Sequence, residues 1–72
     1  MLLRSKYNLE KQIVFFRQLA AVLQSGLPLL RGLQLLERQS EGDSLLYYRL
    51  RTSLSRGSSF AEALAAEPEH FS

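Results

Sequence analysis

Gly26-Leu27-Pro28 is the stretch that decides how this chain folds. A glycine just past an apolar periodic run supplies the left-handed residue that ends a helix. A proline two places later suits the first turn of another helix, where its missing N–H would be unpaired anyway. Two helices joined by a tight hairpin turn are therefore expected, and the same punctuation recurs in both directions along the chain.

Upstream, the periodicity predicts a helix from about Asn8 to Gln24, capped by Asn8 or an earlier residue. At about 100° per residue, Leu9, Ile13, Phe16, Ala20 and Leu23 share one stripe. Phe15, Leu19 and Val22 widen it to about half of the circumference. Glu10, Arg17 and Gln24, seven apart, mark the wet side. So broad an apolar arc predicts a central helix with more than one neighbour.

Downstream, a second helix from about Pro28 to Gln39 is expected to bury Leu29, Leu33 and Leu36, with Leu30 and Leu35 flanking and Arg31 and Arg38 facing outward. Glu41-Gly42-Asp43 interrupts it. A third helix capped by Asp43 or Ser44 carries Leu46, Tyr47, Leu50 and Leu54 on one side, leaves Leu45 and Tyr48 off that stripe, and stops at Gly57. Ser59-Phe60-Ala61-Glu62 reads as a capping box that opens a fourth helix, which ends before Pro68. Glu67 to Ser72 reads as a polar tail around Phe71. The expected fold is all-α: an antiparallel helical bundle of about four helices, one domain over residues 1–72 with residues 1–8 as a flexible leader, and a fragment of a larger bundle.

Composition narrows the function. Nine Lys and Arg against seven Asp and Glu leave a net charge of +2, too balanced to announce a nucleic-acid or acidic-lipid partner. No apolar run approaches the roughly 18 residues of a membrane span, and Ser5-Lys6-Tyr7-Asn8 breaks any secretory signal at once. A chain this short hides only about 60% of its unfolded surface. With no cysteine, disulfides and zinc thiolates are closed to it, and self-association is the remaining route to stability.

Chemistry-bearing motifs are lacking. The single histidine, His70, has Glu67 and Glu69 nearby but no second histidine or cysteine. No serine lies in a nucleophile elbow, and Ser44 and Ser59 already serve as caps. The four glycines stand singly between helices and form no phosphate loop. Glu37, Glu41 and Asp43 around the second turn read as a solvated polar loop before a cation site. No catalytic residue, cofactor or metal is expected. The competing reading is a small helical nucleic-acid-binding module carrying Arg49, Arg51 and Arg56 on its third helix. Arg49 and Arg56 share a side while Arg51 faces elsewhere, so no continuous basic footprint forms.

Two runs carry a resemblance. Phe16-Arg17-Gln18-Leu19-Ala20, then Leu23, then Ser25-Gly26-Leu27-Pro28-Leu29 resembles the F-x-x-Q-L-A-x-L-L-x-A-G-x-P-L type of run that opens the cytoplasmic domain of the platform protein family (the GspF/PilC/ComGB type) of bacterial type II secretion and type IV pilus systems. Leu54-Ser55-Arg56-Gly57-Ser58-Ser59-Phe60-Ala61-Glu62-Ala63-Leu64, followed by Phe71, is similar to the family's second run. Ser25, Phe60, Ala61 and Ser72 depart from the usual residues.

The resemblance implies that this chain is the first half of that domain. It places the full protein in the bacterial inner membrane and this segment on the cytoplasmic side, with membrane spans in parts absent here. It implies a non-enzymatic scaffold that oligomerises and contacts the assembly ATPase and other machine proteins, with no nucleic acid. The matching residues Gln18, Leu19, Gly26, Pro28, Gly57, Ser59, Glu62, Leu64 and Phe71 are expected to be structural. Partner contacts are expected among the outward charges Arg17, Arg31, Arg38, Arg49 and Arg56.

Overall fold

The computed structural model describes residues 9–71, so the leader 1–8, the Asn8 cap and Ser72 lie outside the described residues. The elements are α1 (Leu9–Gln24), α2 (Leu29–Gln39), α3 (Ser44–Ser55), α4 (Phe60–Ala65) and α5 (Pro68–Phe71). No strand occurs among the described residues, and the all-α helical class stands.

The turns form as their residues dictate. Gly26 takes φ of 101°, the left-handed region, and its N–H bonds the Leu23 carbonyl at 3.0 Å. Pro28 then caps α2 in extended backbone, with φ −61° and ψ 155°. At the other end of the chain Gly57 repeats the 101° φ. Its N–H reaches Leu54 O while the Ser58 N–H reaches Ser53 O, the paired bonds of a Schellman stop. Ser59 Oγ accepts from the Glu62 amide at 3.1 Å, and the Ser59 amide donates to Glu62 Oε1 at 2.8 Å, which completes the expected capping box.

The cap of α3 differs from expectation. Asp43 occupies the position, but its side chain does not make the capping hydrogen bond. Ser40 Oγ instead accepts from the Asp43 and Gly42 amides, at 2.7 and 3.3 Å. The serine at the end of α2 thus shapes the turn into α3 before Asp43 can act.

Phe15, Leu19, Leu33, Leu36, Leu46, Tyr47, Leu50 and Ala63 form the buried core, with Val22, Leu29, Leu54, Phe60, Leu64 and Phe71 packed against it. Each fully buried leucine contributes about 1.5–3 kcal/mol. The stripes expected on α2 and α3 are the ones buried, and Leu45 and Tyr48 stand outside as expected. Gly32 is buried where α1 crosses α2: a Cβ there would lie 3.0 Å from Val22 Cγ1, so absence of a side chain lets the helices approach.

α1 is not the central helix its arc suggested. α2 and α3 make the most extensive pairing, and α1 lies along one side of them. Only the Phe15, Leu19 and Val22 edge of its arc turns inward. The middle stripe remains open, with Leu9 70%, Ile13 47%, Phe16 40% and Leu23 38% exposed. Phe15 takes the inward place with its ring, which stacks on Tyr47 at 5.4 Å and tilts against Phe71 at 5.0 Å.

The tail is likewise more than polar. Pro68–Phe71 forms the single-turn α5, whose Phe71 ring also meets Phe16 at 5.6 Å. Gln12 Nε2 donates to the His70 carbonyl at 2.7 Å and ties α5 back to α1. Glu67, only 9% exposed, accepts from Arg49 Nη1 at 3.4 Å and lies 3.7 Å from His70 Nδ1. A buried carboxylate is tolerable because these cationic and polar partners face it.

Candidate docking surfaces

The residues expected to be structural fall mostly at turns, at caps and in the core. Leu19 is buried, and Leu64 and Phe71 pack on the core. Gly26, Pro28, Gly57, Ser59 and Glu62 make turns and caps. Gln18 is exposed along its length, but its Oε1 lies 3.5 Å from the Tyr47 hydroxyl at the edge of the core. Burial, and after it the Asp43 carboxylate, push the Tyr47 phenol up to about 12.

The five outward arginines separate into two groups. Arg49 is half-exposed but engaged with Glu67, so the fold already uses its charge. Arg17, Arg31, Arg38 and Arg56 are exposed and form no ion pair among the described residues. Arg17 stands on α1, Arg31 and Arg38 two turns apart on α2, and Arg56 at the C-cap of α3. No single patch gathers all of them.

Arg51, named only in the competing nucleic-acid reading, is a strut between α2 and α3. Its Nε donates to Glu37 Oε1 at 2.8 Å and its Nη2 to Oε2 at 3.4 Å, a forked pair. That hydrogen bond is the leading reason the guanidinium holds its proton more tightly than usual. Its Cζ also lies 5.2 Å from the Tyr48 ring centroid. Periodicity does not reveal this pair, because Glu37 and Arg51 lie on different helices on either side of a turn.

The most prominent surface is the open stripe of α1: Leu9, Ile13, Phe16 and Leu23, joined by exposed Ala20. Fifteen residues from first to last span about 21 Å of helix. Exposed apolar strips of this length, unlike scattered single leucines, mark contact surfaces. Among the described residues no group of three or more His, Cys, Asp or Glu is placed to hold a metal ion. No helix among them is long and apolar enough to cross a membrane.

An assembly of short helices whose distinctive residues make turns and whose apolar and basic faces stay open belongs to the class of all-α helical modules. Comparison with known proteins makes the assignment specific. Residues 15–72 match the family model "Type II secretion system (T2SS), protein F". The chain is 34% identical over 61 residues to a Type IV pilus assembly protein PilC of Myxococcus xanthus, covering 82% of this chain and 15% of that protein. It is 41% identical over 60 residues to a protein of the same name from Thermus thermophilus, covering 81% of this chain and 15% of that one. No solved structure matches. The chain belongs to the type II secretion system protein F family, the platform family of type II secretion and type IV pilus systems, and spans about 15% of the length of the curated relatives it matches.

Proposed function

We propose that this chain is a cytoplasmic scaffold segment of an inner-membrane platform protein, forming the first half of a helical domain that associates with itself and with the assembly ATPase. The observation that carries this reading is the open apolar stripe of α1. A second copy laid along that stripe covers Phe16, Leu23 and Ile13 and relieves the small chain's limited core. The module performs no reaction in this reading; it positions the partners that do.

Light scattering across a concentration series tests the self-association. Growth of the assembled species with concentration is expected, and Phe16→Glu with Leu23→Glu should leave a monomer that keeps its helical circular dichroism. A wild-type chain that stays monomeric at every concentration overturns self-association. Pulldown of the purified assembly ATPase tests the other half, and failure to retain it removes the ATPase from the proposal. Labelling of a cysteine introduced at the exposed Gln24, in the intact cell, tests the location: protection from an impermeant reagent supports the cytoplasmic side, and labelling refutes it.

A further inference from the structure

We infer that the outer face of α2 is a docking groove for an acidic amphipathic helix of a partner protein. An open groove of about 600 Å³ runs there, with Leu27 and Leu35 half-buried along its floor. Arg31 and Arg38 flank it, both exposed and neither in an ion pair among the described residues. Gln34 lies between them and offers an amide to a passing backbone or side chain.

Charge sets the kind of occupant. Glu37 is the one carboxylate in the lining, and Arg51 holds both of its oxygens. Three arginines against one glutamate leave the lining at +2, and the pairing leaves Arg31 and Arg38 as the guanidiniums with unspent donors. Each presents a planar fork that suits a carboxylate in bidentate geometry.

Spacing sets the shape. Seven residues on α2 separate the two arginines by about 10.5 Å along the axis. Carboxylates seven apart on a partner helix repeat the same rise, so one helix running along α2 meets both arginines at once. Apolar side chains between those carboxylates fall onto Leu27 and Leu35, the helix-in-groove mode of recognition. A nucleic acid fits less well. Two free guanidiniums neutralise at most about two phosphates, which supports only weak binding, and the leucine floor offers nothing to a phosphate backbone.

The groove lies on α2 and contains none of the α1 stripe residues, so the inference goes beyond the proposed self-association and stands or falls separately. A photo-crosslinking amino acid at Gln34 of the intact chain, expressed in the organism that carries it, supplies the test. Mass spectrometry then maps the segment captured. Adducts on one helical segment bearing carboxylates seven apart are expected. Arg31→Glu with Arg38→Glu should lower the yield at least tenfold, while Gln24→Glu on α1, outside the groove, leaves it unchanged. Arg31→Lys with Arg38→Lys keeps the charge and the fold but loses the fork, and should fall between. Adducts only on copies of this chain, only on nucleic acid, on a segment lacking such carboxylates, or absent altogether overturn the inference. So does a yield indifferent to both double substitutions. A chain that proves monomeric by light scattering removes the self-association and leaves this test intact.

Discussion

Gly32→Ala probes the closest approach between α1 and α2. The added Cβ would lie 3.0 Å from Val22 Cγ1, with Leu23 Cδ2 at 3.7 Å and Leu19 Cδ1 at 3.9 Å. Carbon atoms pack best at about 3.5–4.0 Å, so the two leucine contacts are comfortable and the valine contact is too short by about half an ångström. Two effects oppose each other. Alanine in a helix interior is favoured over glycine by about 1 kcal/mol. Overpacking of this kind costs about 2 kcal/mol, since the β-branched Val22 cannot readily turn its χ1 away. The single substitution should therefore lose about 1 kcal/mol net. In a Val22→Ala background the obstructing methyl is gone, and the same Gly32→Ala change should gain up to about 1 kcal/mol from helix propensity. The resulting coupling of about 2 kcal/mol is read by urea denaturation of the four variants, well above the scatter of independent sites. A coupling near zero, or stabilisation by Gly32→Ala alone, would falsify the close crossing of α1 and α2.

Three further outcomes follow from the packing and electrostatics. Phe71→Ala should cost about 2 kcal/mol, less than for a fully buried ring because Phe71 is partly open, and should free α5 as seen by faster amide exchange at His70; unchanged stability refutes the contact with Phe15 and Phe16. Ser59→Ala removes one arm of the capping box and should cost about 1 kcal/mol in thermal melts, and Glu62→Ala in the same background should add little, since the two arms act together. Tyr47 keeps its proton in the folded chain to about pH 12, while the unfolded phenol loses it near 10. Folded stability is therefore full below pH 10 and falls by about 1.4 kcal/mol per pH unit on the way to 12. Tyr47→Phe should flatten that alkaline decline in urea midpoints taken on either side of pH 10, and an equal decline in both proteins contradicts the burial of the phenol.

Local chemistry made most of the fold legible. Gly26 with Pro28, Gly57, and Ser59 with Glu62 each determine a turn or cap within six residues, and each does so in the structure. The inward stripes of α2 and α3 were equally plain, because Arg31 and Arg38 on α2 and Arg49 and Arg56 at α3 mark the outward sides. α1 offered no such contrast. Its arc is apolar over Leu9, Ile13 and Phe16 as well as Phe15, Leu19 and Val22, and periodicity cannot rank two adjoining apolar edges. Tyr47 and Phe71 make the choice, and they lie 32 and 56 positions from Phe15. α5 escaped notice for a related reason. Four residues show no period, and what orders them is Gln12 reaching His70 across 58 positions and Arg49 reaching Glu67 across 18.

The same division bears on the candidate surfaces. Most of the residues that carry the likeness to the platform family sit at turns and in the core, where a substitution changes the fold before it changes a contact, while Phe16, Gln18 and Leu23 stay exposed on α1. Arg49 and Arg51 illustrate how little an arginine's outward register says alone: each has a carboxylate partner from outside its own helix. Arg31 and Arg38 differ because α2 places them on the side away from Leu33 and Leu36, and Glu37, the nearest carboxylate in their groove, is already bound. Their charge is thus left for something outside the described chain. The apolar stripe of α1 is left open by a separate cause, the capture of Phe15 by Tyr47 and Phe71. Two faces opened by independent packing choices should respond independently: Phe16→Glu with Leu23→Glu alters assembly without touching the groove, and the arginine substitutions alter the groove without touching assembly. A variant of either face that abolishes both would mean that one surface, not two, meets the partners.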